Sequence, residues 1–271
     1  MVELSYIIGR FSKKIGSNFQ YFPIDNWEED LKIANKLKIL NVEWIISDFS
    51  NPIFSKSFLS IIKKELKKNK IKISCIGLDI FLKEPIFRIN KINFDWIIEK
   101  VSFVISKFKI KKVTIPLEET TRISNYLDFK KSIKRIKELS KVLGKNTKIC
   151  LETDMSPGNL NKFLSHFESN NIGLLLDIGN LRANGYDLEK YINKFKEKIF
   201  RIHIKKRDYL FYPSMPINSN FKELSYLAKN LNKLKNIQDI CLQNFRSEKN
   251  YKQETKKTLT ILRKILDEQK K

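Results

Sequence analysis

The 271-residue chain is 42% hydrophobic and 31% charged, a globular rather than disordered balance with enough length to bury a large core. Its 53 basic and 30 acidic residues give a net charge of +23, but the lysines fall in scattered pairs (Lys63-Lys64, Lys67-Lys68, Lys111-Lys112, Lys130-Lys131, Lys256-Lys257) rather than in one tract. That pattern predicts solvated helix faces rather than a specific nucleic-acid footprint. No run of about eighteen apolar residues occurs, so no membrane span is expected. The N-terminus lacks the basic-then-apolar order of a signal peptide, which predicts a cytoplasmic protein.

Apolar runs and turn residues alternate along the chain in eight β/α units. Leu4–Gly9 reads as a first strand, followed by a helix over Trp27–Leu37 opened by Asp25-Asn26 as capping residues. Val42–Ile46 is a second strand with helix Phe58–Lys68, and Ile71–Ile76 a third with helix Phe94–Phe108. A fourth strand, Lys112–Ile115, is ended by Pro116 and followed by helix Phe129–Leu143. Ile149–Leu151, Ile172–Leu176 and Ile199–Ile202 are strands five to seven, with helices over Leu160–Glu168, Leu188–Phe195 and Phe221–Leu231. Ile237–Leu242 is the eighth strand, and an amphipathic helix over Tyr251–Leu266 closes the chain. Eight alternations in this length predict a single-domain α/β (β/α)₈ TIM barrel spanning residues 1–271. The Gly-rich first turn of a dinucleotide-binding sheet is absent.

In such a barrel the carboxyl ends of the strands face one crevice. Those ends carry Arg10, Glu43 with Trp44, Asp79, Glu118 with Glu119, Glu152, Asp177, His203 and Gln243. Two carboxylates, an imidazole and an amide oxygen form a mixed donor set suited to a divalent ion: Mn²⁺, Mg²⁺, Co²⁺ or Zn²⁺. An ion held by Glu152, Asp177, His203 and Gln243 can chelate adjacent oxygens of a hydroxy-carbonyl compound and acidify the C–H between them. Glu152 suits both ligation and proton transfer. The three cysteines, Cys75, Cys150 and Cys241, lie far apart in apolar runs without metal-ligand spacing and read as buried thiols. His166 reads as surface or packing. Trp27, Trp44 and Trp96 read as packing residues, with Trp44 also placed to meet a sugar ring.

Across nearly the whole chain these segments resemble the xylose isomerase-like TIM-barrel superfamily of sugar phosphate isomerases and epimerases. The matching pieces are Ile8-Gly9-Arg10, Gln20-Tyr21-Phe22-Pro23, Val42-Glu43-Trp44-Ile45, Ile115-Pro116-Leu117-Glu118-Glu119, Leu151-Glu152-Thr153-Asp154, Leu176-Asp177-Ile178-Gly179-Asn180, His203-Ile204-Lys205 and Leu242-Gln243 with Arg246. The resemblance implies four metal ligands at Glu152, Asp177, His203 and Gln243, and enediolate chemistry on a sugar or sugar phosphate. Arg10, Glu43, Trp44, Glu118, Asn180, Lys205, Arg207 and Arg246 are the expected substrate-binding residues, with Lys205, Arg207 and Arg246 suited to an acidic group. The sequence departs from the family at three places: Gln243 stands where a second basic Glu is common, Lys206 follows His-Ile-Lys, and the loop over residues 209–216 has no Gly. An amide cannot accept a proton at neutral pH, so Gln243 is expected to ligate or orient and Glu152 to act as the single base. Two alternatives stand beside this reading. One is a barrel without turnover that binds a sugar or partner protein. The other is an abasic-site endonuclease, whose three-zinc cluster needs more histidines than the two present. The sequence does not set the oligomeric state, a homodimer being one option.

Overall fold

The structure is a computed structural model, and it describes residues 2–13, 20–209, 214–218, 220–247 and 249–268. The strands are β1 (Glu3–Ile7), β2 (Asn41–Ile45), β3 (Lys72–Gly77), β4 (Lys112–Leu117), β5 (Lys148–Thr153), β6 (Ile172–Asp177), β7 (Ile199–Ile204) and β8 (Asp239–Leu242). Each pairs in parallel with the next, and β8 pairs with β1 to close the barrel. The helices between and after them are α1 (Trp27–Lys36), α2 (Lys56–Lys68), α3 (Ile80–Lys83), α4 (Lys91–Phe108), α5 (Tyr126–Leu143), α6 (Pro157–Leu164), α7 (Ile178–Ala183), α8 (Leu188–Phe195), α9 (Lys222–Lys229) and α10 (Tyr251–Glu268). Because both faces of each strand are covered, β4, β6 and β7 are buried at every residue, which is why they read as near-continuous apolar runs. Among the described residues no helix is long and apolar enough to cross a membrane.

Local chemistry sets the boundaries. Asn90, Asn125, Ser156 and Asp187 cap α4, α5, α6 and α8 by accepting a hydrogen bond from a first-turn backbone N–H. Asn26, expected to cap α1, precedes it without a side-chain cap bond. Three helices end in the same way. Lys38, Lys70 and Lys109 take positive φ angles of 54°, 55° and 55°. In each case the following isoleucine (Ile39, Ile71, Ile110) returns its N–H to a carbonyl five residues back, on Ala34, Leu66 or Ile105, and is buried. These are Schellman closures with lysine where glycine is usual.

Three expectations shift. β4 continues through Pro116, which pairs opposite Glu152. The β3 partner has ended at Thr114, so the missing proline N–H falls where the ladder is one-sided. The helix expected to reach Glu168 stops at Leu164, and short helices follow two strands, α7 directly after β6 and α3 after Leu78 and Asp79. Of the Gly-free loop over 209–216, residues 210–213 lie outside the described residues. Cys75, Cys150 and Cys241 sit on β3, β5 and β8 as buried free thiols.

Candidate metal centre and active site

Alternation along the strands aims the polar side chains inward. On β7 and just past it, Arg201, His203 and Lys205 occupy successive inward positions, and all three are buried. On β8 and just past it the inward positions are Asp239, Cys241 and Gln243. Glu152, Asp177 and His203 each present a ligand atom, and those atoms lie within 4.8 Å of one another. Gln243 Oε1 is 3.2 Å from His203 Nδ1, and Glu152 Oε1 is 4.0 Å from the same nitrogen. The four residues expected to share an ion are thus gathered in one buried place.

Gly179 explains why the Asp-Ile-Gly-Asn piece has its form. A Cβ there would sit 2.5 Å from Lys205 Cγ and 2.8 Å from the Lys205 carbonyl oxygen, so only glycine lets the end of β7 pass over α7. Lys205 Nζ then lies 2.8 Å from Asp177 Oδ2 and 3.8 Å from Glu152 Oε1. The Asp177 Oδ2 contact is an ion pair without hydrogen-bond alignment. Asp177 Oδ1 accepts the Asn180 N–H at 2.9 Å and so caps α7. The Asn180 side chain donates to both Glu118 Oε2 and Glu152 Oε1. Its own oxygen accepts from Arg207 Nη1 at 2.9 Å, and Arg207 also pairs with Glu119.

The electrostatics show a shortage of positive charge. Glu118, Glu152 and Asp177 face the Lys205 ammonium, while the nearby Arg207 is paired with Glu119. Burial pushes the Glu118 carboxyl up to about 7, with Lys205 pulling the other way. Burial and the adjacent Glu118 also hold Glu152 above the usual carboxylate range. Burial works against the Lys205 charge, but Asp177, Glu118 and Glu152 outweigh it and raise its pKa. Close-packed buried carboxyls disfavour one another's ionisation in a low dielectric, and Lys205 and Arg207 offset this only in part. A divalent ion would supply the missing charge, so the donor set and its charge balance fit such an ion.

The remaining expected residues divide. Arg10 Nη2 donates to Gln20 Oε1 at 2.5 Å and its Nη1 to the Asn244 carbonyl at 3.0 Å. Glu118, Asn180, Lys205 and Arg207 lie around the four-residue cluster. Arg246 donates to the Gly9 and Ser12 carbonyls and so ties the β8 end to the β1 end. Trp44 is not in the crevice: its neighbour Glu43 faces inward, so Trp44 points outward, packs against Phe22 and Trp27, and donates to Asn51. Glu43 lies beneath the cluster, its Oε2 2.7 Å from His203 Nε2, rather than at the open mouth. His166 is exposed against the Phe129 edge. Sequence reasoning missed Arg201, which joins Glu43 to Asp239. Its mark was a cation in the middle of an apolar strand, two residues before His203 and therefore on the same face.

No protein-family model matches the sequence, and no curated protein is similar to it. Solved structures do match its shape. A xylose isomerase domain protein from Alicyclobacillus acidocaldarius aligns over 100% of both chains with a TM-score of 0.77 and 12% identity. A D-allulose 3-epimerase from Methylomonas sp., solved with D-allulose, aligns over 97% of this chain and 96% of its own with a TM-score of 0.72 and 12% identity. The IolI protein with a bound zinc atom covers 98% of each chain at a TM-score of 0.69 and 16% identity. The chain therefore has the xylose isomerase-like TIM-barrel fold.

Proposed function

We propose that the protein is a divalent-metal-dependent isomerase or epimerase that acts on a sugar or sugar phosphate through an enediolate. The observation that carries this reading is the convergence of Glu152, Asp177, His203 and Gln243, from the ends of four consecutive strands, on one buried place short of positive charge. Structures of the same fold that hold zinc or a ketose are in keeping with it. The ion, when bound, would polarise adjacent substrate oxygens as a Lewis acid. Glu152, raised in pKa and hydrogen-bonded to Asn180, takes and returns the proton on carbon. Lys205 and Arg207 balance the developing negative charge and meet an acidic substituent. Gln243, an amide, ligates and orients without carrying a proton.

One observation favours a second reading, a barrel without turnover: the Lys205 ammonium already stands 2.8 Å from Asp177. Two measurements separate the readings. Metal analysis after dialysis against Mn²⁺ should find one equivalent in the native protein and none in Asp177→Ala. Candidate ketose and aldose phosphates incubated with the Mn²⁺ protein in deuterated water should incorporate deuterium next to the carbonyl. A protein that holds no metal and exchanges no substrate C–H would establish the second reading. An abasic duplex cut by the protein would overturn both.

A further inference from the structure

Two chains of hydrogen bonds run into the candidate metal centre, and each begins at a buried arginine. The first lies beneath the site. Arg201 donates through Nε and Nη2 to Glu43 Oε2 at 3.2 and 3.0 Å, and through Nη1 to Asp239 Oδ2 at 2.8 Å. Glu43 Oε2 is in turn 2.7 Å from His203 Nε2. Glu43 Oε2 therefore accepts two guanidinium N–H groups from Arg201. An oxygen that already accepts from a guanidinium leaves the donor's part in this contact to His203 Nε2, so the tautomer this geometry selects has its lone pair on Nδ1.

The second chain enters from the side. A guanidinium only donates, so the Arg10 contact at 2.5 Å fixes which end of Gln20 is oxygen. The Gln20 nitrogen accordingly faces Asp79 Oδ2 at 2.6 Å. Gln20 Oε1 also receives Gln243 Nε2 at 3.2 Å, which turns Gln243 Oε1 toward His203. The two chains thus end in two acceptors, His203 Nδ1 and Gln243 Oε1, facing each other at 3.2 Å with no proton assigned between them.

We infer that Arg201 and Arg10 are positioning residues, acting through Glu43 and Gln20, that aim the His203 Nδ1 lone pair and the Gln243 oxygen at one cation. This rests on the metal-dependent reading above and assigns the ligand atoms within it. An imidazole whose far nitrogen donates to a carboxylate is held in one tautomer and made more basic, which strengthens it as a ligand. Glu43 and Gln20 are not among the four ligands of this reading, and their effect passes through His203 and Gln243.

The deciding experiment is nitrogen-15 NMR of the histidine rings in the metal-free native protein at pH 8. Only two histidines are present, and a His166→Asn variant assigns the exposed one. His203 should carry its proton on Nε2 alone; a proton on Nδ1 overturns the inference. As a second arm, Glu43→Gln and Arg10→Met should weaken Co²⁺ affinity roughly 10- to 100-fold. The His203 tautomer should change in Glu43→Gln only. Full native affinity in both variants would also overturn the inference. If a variant fails to fold, the native spectrum still decides. If the native protein binds no metal, the proposed function fails while the tautomer is still read.

Discussion

Gln243 is the residue on which the reaction type turns. Two-base epimerisation needs a proton carrier on each face of the enediolate, and an amide fills neither role at neutral pH. We expect Glu152→Gln to lower turnover by about 10²- to 10⁴-fold, the usual worth of a general base, while Gln243→Glu keeps or tightens the metal. Rapid inversion at ketose C3 by the native protein, with deuterium entering there, would place the second base on another residue. Gly179 is decisive in a different way. Its replacement by Ala drives a methyl group into the Lys205 stem and carbonyl, and overpacking of that kind costs roughly 1–3 kcal/mol. Chemical denaturation of Gly179→Ala should show that loss; an unchanged midpoint would mean that the β7 end moves freely.

At the scale of elements, the repeated Lys-Ile closure of α1, α2 and α4 places a β-carbon in the left-handed region three times. The chain has only 8 glycines, and lysine stands where glycine would relieve the strain. Lys38→Gly, Lys70→Gly and Lys109→Gly should each stabilise by roughly 0.5–1 kcal/mol, the left-handed penalty less the extra backbone entropy of glycine. A stability loss in all three would contradict this. The fold was legible because eight buried parallel strands give uninterrupted apolar runs and the helices between them are amphipathic. The four candidate ligands were legible because each stops such a run. Trp44 was misplaced because an apolar run does not reveal which strand face turns inward; the charged Glu43 beside it settles that. Gln20 and Arg201 were not legible as partners of the site, since a contact such as Arg201 to Glu43 joins residues far apart in sequence. The short helices α3 and α7 escaped notice because four to six residues show no helical period.

For the whole molecule, the buried charges set opposing trends with pH. Arg201 holds both Glu43 and Asp239 below their ordinary range against the effect of burial. Their contribution is therefore fully present above the ordinary carboxylate range and is lost as pH falls below it toward the lowered native values. Asp30 behaves in reverse. Burial raises it from 3.8 to about 6, even though it accepts from Gly9, Phe11 and Ser12. The native state thus binds more protons than the unfolded one between those values, and stability falls as pH rises through that window by roughly 3 kcal/mol. Thermal melts of the metal-free protein should show both limbs, and Asp30→Asn should make the upper one shallower without abolishing it, since Glu118 and Asp79 are raised to about 7 as well; Ser12 can reverse its hydroxyl to accept from the amide. An upper limb unchanged in that variant would rule Asp30 out as a contributor. The three cysteines add a clock to the same molecule. Burial raises each thiol's pKa, and only the thiolate reacts with a disulfide reagent, so modification has to wait for the wall to part. Because the thiols sit on β3, β5 and β8, equal labelling rates would mean that the wall parts as one cooperative unit. A faster Cys241 would locate the first breach at the seam where the chain's last strand meets its first.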